Sequence, residues 1–125
     1  MSRLVVDTHA LLWWLADDAA LSEPARASIA DPANVPVVSV ASLWEIAIKQ
    51  SLGKLDAPAD LPEIIVAEGF TLLPVGAQHA WRVRELPFHH RDPFDRLLIA
   101  QAMTERVPIL TADASFAVYE VDVRW

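Results

Sequence analysis

Four acidic residues stand where one apolar segment of the chain gives way to the next: Asp7 ends LVVD, Glu45 lies within SLWEIAIK, Asp95 opens DRLLIAQA and Asp113 follows PILTAD. Carboxylates at the junctions of buried strands and helices suggest a metal site. Two carboxylates about 4 Å apart repel by roughly 4 kcal/mol at an effective dielectric near 20. Several such pairs would consume most of a typical net stability of about 5–15 kcal/mol. If the four side chains converge, a divalent cation or a trapped proton has to relieve the repulsion. Hard oxygen donors favour Mg²⁺ or Mn²⁺ over zinc.

Each acid also has a plain structural use. Asp7 can cap the helix that follows it, and Asp113 can cap or form a turn before Ser115. Glu45 can pair with Lys49 one helical turn on, an interaction worth a few tenths of a kcal/mol. Asp92 and Asp95 straddle Pro93, with Asp92 the better placed cap, which leaves Asp95 free. Among the other polar residues, His9, His79, His89 and His90 suit loop, surface or packing roles better than a zinc site, since no HExxH spacing occurs. Arg82, Arg84, Arg91 and Arg96 offer a local phosphate rim, although a solvated charged face is the commoner use of such residues. For Trp13, Trp14, Trp44, Trp81 and Trp125, core or interface packing is the better reading than base stacking.

Positioning the acids requires alternating strands and helices. Residues 4–6, 35–39, 70–75 and 108–111 read as strands, with residues 119–123 a last strand or edge. Residues 8–16 read as a helix carrying Leu11, Leu12 and Leu15 inward, and Ser22 caps a second running to about Ala30 with Pro24 in its first turn. A third helix spans residues 40–51, with Val40, Leu43, Trp44 and Ala47 on one face and Glu45 at its edge; Gly53 ends it. Asp60 and Pro62 start a fourth that Gly69 stops, residues 78–86 are helical, PFHHRDP is a loop, and residues 93–106 form the clearest helix. This is an α/β pattern. In open parallel sheets, ligands bind beyond the carboxyl ends of the strands. Asp7 and Asp113 lie just past predicted strands there, and Glu45 and Asp95 sit in early helical turns, so the sequence permits all four to meet in one crevice.

Composition narrows the function classes. The 125 residues fit one domain spanning residues 1–125, and a 54% hydrophobic content supplies ample core. A formal charge of -7 argues against holding nucleic acid through a general basic surface, so any such contact should be local, metal-assisted and salt-sensitive. The absence of cysteine excludes disulfides and thiolate metal sites. The start of the chain lacks a signal-peptide core of usual length, and no apolar run approaches the roughly 20 residues of a membrane helix, so a soluble, cytoplasmic protein is expected. Position 9 is His where a haloacid-dehalogenase-type phosphatase wants a second Asp. The three glycines leave no P-loop or dinucleotide fingerprint, and no serine stands in a GxSxG context.

Taken in order, VVDTHALLW, SVASLWEIAIK, LPFHHRDPFDRLLIAQA and LTADASFAVYEV resemble the segments of PIN-domain ribonucleases, and among them VapC-type toxins of bacterial toxin–antitoxin pairs. The resemblance runs from residue 4 to 121, and residues 90–102 are its most specific piece. It implies a three-layer α/β/α fold around a mainly parallel sheet. The family's acidic residues carry over to Asp7, Glu45, Asp95 and Asp113, with Thr8, Ser42 and Thr111 where small hydroxyl residues support the acids or bound water. Caps and turns account for those three at least as well. The implied chemistry is hydrolysis of RNA phosphodiesters dependent on Mg²⁺ or Mn²⁺, with water as nucleophile. Asp7 and Asp95 would be direct ligands, Asp113 a ligand or water holder, and Glu45 a ligand or general base; one ion or two fit equally. The implied partners are an RNA substrate, a small cognate antitoxin and a second copy of the chain in a homodimer, with no membrane. The alternative is a PIN-like scaffold that binds RNA or protein without cleaving.

Overall fold

Leu4, Val5 and Val6 have almost no exposed surface on either side, as a strand covered on both faces requires. They belong to β1 (Ser2–Val6), the centre of a sheet in the order β3-β2-β1-β4-β5. The other strands are β2 (Asn34–Ser39), β3 (Thr71–Leu73), β4 (Ile109–Leu110) and β5 (Val123–Arg124), and every pairing is parallel. Residues 2–125 are described by this computed structural model.

The two-residue period of a strand divides the core. Leu4, Val6 and Leu110 face a cluster with Leu11, Ala25, Ile46 and Ile65, whereas Val5 and Ile109 face one with Leu86, Ile99 and Phe116. Helices α1 (Thr8–Leu15), α2 (Glu23–Ala30), α3 (Val40–Ser51) and α4 (Leu61–Ala67) supply side chains to the first. Helix α6 (Pro93–Glu105) and the turns around it supply the second, so the sheet lies between helical layers. Burying each Val, Leu or Ile contributes roughly 1.5–3 kcal/mol.

Helix boundaries follow local chemistry. Ser22 Oγ accepts the Ala25 N–H with Pro24 in the first turn, and Asp92 Oδ1 accepts the N–H groups of Phe94 and Asp95 at the start of α6. Gly69 takes φ +94 directly beyond α4, a conformation in which any side chain is strained. No described helix is long and apolar enough to cross a membrane.

Several elements depart from expectation. The stretch read as a helix over residues 78–86 is α5 (Ala77–Arg82) followed by a 3₁₀ turn, Val83–Glu85. Of the last strand expected over residues 119–123 only Val123 lies in β5, because the preceding residues are spent on the 3₁₀ turn Ala114–Val118 and a bend. The structure also sets the direction of α3, which the helical period left open. Of the face with Val40, Leu43, Trp44 and Ala47, Leu43 packs on the first core cluster while Val40, Trp44 and Ala47 are exposed, and Ala41, Ser42, Glu45 and Ile46 are buried. Helical period defines a face but not its direction, and here partnered polar groups went inward.

Candidate metal centre

The sheet order reverses direction at β1: the chain moves from β1 out to β2 and β3, then returns to lay β4 on the other side of β1. The crevice of such a fold opens where the carboxyl ends of those two strands part. Asp7 follows β1 there. Its N–H donates to Leu110 O at 3.1 Å, and its carboxylate splits its work: Oδ1 accepts the Ala10 N–H at 2.8 Å and caps α1, while Oδ2 accepts the Thr111 hydroxyl from the end of β4. Capping and a place in the crevice are therefore compatible uses of one side chain. Burial raises its pKa above the usual range, and the bonds from Thr111 and Ala10 only partly offset this.

Glu45 is buried on the inner face of α3 and is fully partnered. Lys49 Nζ donates to its Oε2 at 2.8 Å, and Thr8 Oγ1 lies 2.9 Å both from its Oε1 and from Ser42 Oγ. An ionised carboxylate only accepts, so the single Thr8 proton goes to Glu45 and Ser42 donates to Thr8. The i,i+4 pair with Lys49 exists together with the inward position. The bond to Glu45 raises the pKa of Lys49, as do the charges of Glu45, Asp92 and Asp95.

Asp95 comes from the first turn of α6 and meets the others electrostatically. Its pKa is pushed up to about 7, chiefly by burial and then by the charge of Asp92, with Glu45 and Asp7 adding and His90 opposing. Asp113 differs. Burial works against its ionisation, but the Ser115 hydroxyl and N–H, donating to Oδ1 at 2.6 and 2.9 Å, together with His90, bring its pKa below the usual value. It stands at the half-open rim, where Asp7, His9, Trp13, Ala112 and Asp113 line a surface hollow of about 260 Å³.

Thr8, Ser42 and Thr111 are all buried and bonded in this network, two of them directly to acids. His90, assigned by sequence to a loop or packing role, lies inside the crevice, its Nε2 3.1 Å from Asp95 Oδ2 and 3.3 Å from Asp113 Oδ2. Its only sequence signal is its place two residues before the capping Asp92. Arg96 is not part of a surface rim. It is buried, and its guanidinium donates to the carbonyls of Pro87, Val83 and Leu86 at 2.8, 3.1 and 3.1 Å. His79 is a packing histidine: Nδ1 accepts the Gly76 N–H and Nε2 meets Glu105. Trp44 and Trp81 are exposed, Trp44 against Phe94 and Trp81 beneath Arg84, whereas Trp13, Trp14 and Trp125 pack on the core.

A crevice that gathers carboxylates, raises the pKa of two and offers one lysine as resident cation has the donor chemistry of a hard divalent ion site. No curated protein matches the sequence significantly. Among solved structures, VapBC2 from Rickettsia felis bound to a promoter DNA fragment superimposes with a TM-score of 0.72 at 12% identity, covering 98% of this chain and 97% of that one. A toxin–antitoxin complex from Klebsiella pneumoniae gives 0.64 at 14% identity over 98% and 96%. The PIN domain endonuclease Utp24 gives 0.53 at 17% identity over 92% and 74%. These likenesses concern the fold. The profile of the PIN domain covers residues 4–121, nearly the whole sequence, and the chain belongs to that family.

Proposed function

We propose that this chain is a metal-dependent endoribonuclease of VapC type, the toxin half of a toxin–antitoxin pair. What supports the reading is that Asp95 and Asp113 meet at His90, Asp7 lines the same hollow as Asp113, and the charges of Glu45 and Asp7 raise the pKa of Asp95, in a PIN-family chain. Asp7 and Asp95 would hold Mg²⁺ or Mn²⁺, with Glu45 as ligand or general base and Asp113 as ligand or water holder. When bound, the ion supplies Lewis-acid neutralisation of phosphate charge and a lowered pKa for water. The chain's own groups set the rest. Thr8 and Lys49 fix both oxygens of Glu45, Thr111 fixes Asp7, and Ser115 fixes Asp113. Water, rather than the RNA 2′-hydroxyl, attacks phosphorus in line with the departing 3′-oxygen, leaving a 5′-phosphate. With -7 overall, the protein grips RNA only locally, and cleavage falls with salt.

A nuclease directed at the cell's own RNA in the cytoplasm needs restraint, and the structural relative from Klebsiella pneumoniae is a toxin–antitoxin complex. A basic side chain of a small antitoxin would form charge-assisted bonds in the acidic crevice. An apolar hollow of about 300 Å³ between α1 and α4, lined by Leu12, Leu15, Ala57, Pro58, Leu61 and Ile64, suits a partner helix. The active toxin is a homodimer in this reading. Expression of the chain alone should arrest growth, and co-expression with an adjacent small gene should restore it. A harmless chain that nevertheless binds RNA without cutting would instead establish the scaffold reading.

Asp92 separates structure from chemistry. Asp92→Asn should keep cleavage within about twofold of wild type at matched ion concentration, because Asn caps as well as Asp. Loss of cleavage equal to that of Asp95→Asn would place Asp92 among the ion's ligands.

A further inference from the structure

His90 stands among the candidate ligands, and its place there has two chemically opposite explanations. One atom each from His90, Asp95 and Asp113 lies within 4.8 Å of the others, a spacing that a shared ion would also produce. Cis donors around an octahedral ion at about 2.1 Å stand about 3 Å apart, close to the 3.1 and 3.3 Å from Nε2 to the two carboxylates. Distance therefore does not distinguish a ligand from a hydrogen-bond donor.

The other ring nitrogen does. The backbone N–H of Asp92 points at His90 Nδ1 from 3.1 Å, and a backbone N–H can only donate. In the neutral ring Nδ1 accepts with its lone pair, which leaves the proton on Nε2. A metal-binding imidazole has the reverse arrangement, with a bare nitrogen on the ion and an N–H donated outward to a carboxylate or carbonyl. The ring is also held in place from several sides. The His90 backbone N–H donates to Tyr119 Oη at 2.8 Å, and its imidazole meets Phe116 edge-on at 5.8 Å.

We infer that His90 is a positioning residue and not an ion ligand: it donates Nε2–H to Asp113 and sets Nε2 against Asp95, tying the loop before α6 to the loop after β4 and fixing the carboxylate edge against which the ion sits. This rests on the metal reading above. The Asp92 N–H thereby does a second job beside its carboxylate cap, since it selects the tautomer.

The test uses ¹⁵N-histidine-labelled protein, with His90 identified as the resonances missing from His90→Gln. The ion-free protein should carry the proton on Nε2 and an unprotonated Nδ1, and Mg²⁺ at saturation should leave that tautomer unchanged. His90→Gln, whose amide N–H reaches a similar point, should bind Mg²⁺ within a few-fold of wild type. His90→Leu should bind it about 10-fold more weakly or worse. A proton on Nδ1, its transfer there when Mg²⁺ is added, or a folded His90→Leu that binds Mg²⁺ as wild type does would overturn the inference. The tautomer is read in the unsubstituted protein, so it decides even where His90→Leu fails to fold. Wild-type protein that shows the Nε2–H tautomer but binds no Mg²⁺ would overturn both the metal reading and the role assigned to this edge.

Discussion

Asp95→Asn should lower RNA cleavage by about 100-fold or more, the scale expected for losing one preorganised electrostatic group, while making the ion-free protein more stable than wild type above neutral pH. Both effects come from one carboxylate. Burial, together with the charges of Asp92, Glu45 and Asp7, lifts the Asp95 pKa from 3.8 to about 7 in the folded protein. The folded state thus holds the Asp95 proton more tightly than the unfolded chain does. The resulting stabilisation is fully present below 3.8 and is lost as pH rises through about 7. At pH 8 the folded wild type carries the full cost of an ionised, desolvated Asp95, which is on the order of 1–4 kcal/mol. Asn carries no such cost and can turn its carbonyl to His90. Melting curves in chelator should therefore coincide near pH 4 and separate by pH 8, with the Asn variant higher by several degrees. An Asn variant no more stable at pH 8 would mean that Asp95 is not crowded by the other acids.

Arg96→Met should cost about 3 kcal/mol or more, the largest stability loss expected from any single surface-independent polar group in the chain. Hydrogen bonds to charged donors contribute roughly 1.5–3 kcal/mol each, and stranding buried acceptors carries its own penalty. Here one buried guanidinium satisfies the carbonyls of Pro87, Val83 and Leu86 and stacks 4.3 Å from the Phe88 ring centroid. Methionine fills much of the volume and satisfies none of those carbonyls. The segment so anchored carries His90 and Asp92, and cleavage measured well below the melting temperature should fall by more than the loss of folded protein explains. Lysine should not rescue, since a point charge cannot reproduce the planar fork. A urea midpoint corresponding to less than about 1 kcal/mol of change would show that the carbonyls find other partners.

What the sequence revealed and what it hid divide along the line between local and long-range chemistry. The caps at Ser22 and Asp92, the stops at Gly53 and Gly69, and β1 and β2 are decided by neighbours within a few residues, and they stand where pattern places them. The outward turn of Trp44 is not local: it depends on Thr8, 37 positions before Glu45, being ready to donate a hydrogen bond. Arg96 reads as a solvated charge until the carbonyls of residues 83–87 close around it. His90 was legible only as one of two adjacent histidines in a loop. The tautomer that gives it meaning is set by a backbone N–H, which no side-chain pattern displays. The strand order, and with it the meeting of Asp7 with Thr111 across β1 and β4, comes from topology.

Cleavage of a defined RNA by protein stripped of metal and held in excess chelator tests the central claim most directly. The predicted result is no cleavage until Mg²⁺ or Mn²⁺ is restored, and then products ending in 5′-phosphates. Undiminished cleavage in chelator, or products ending in 2′,3′-cyclic phosphates, would contradict it.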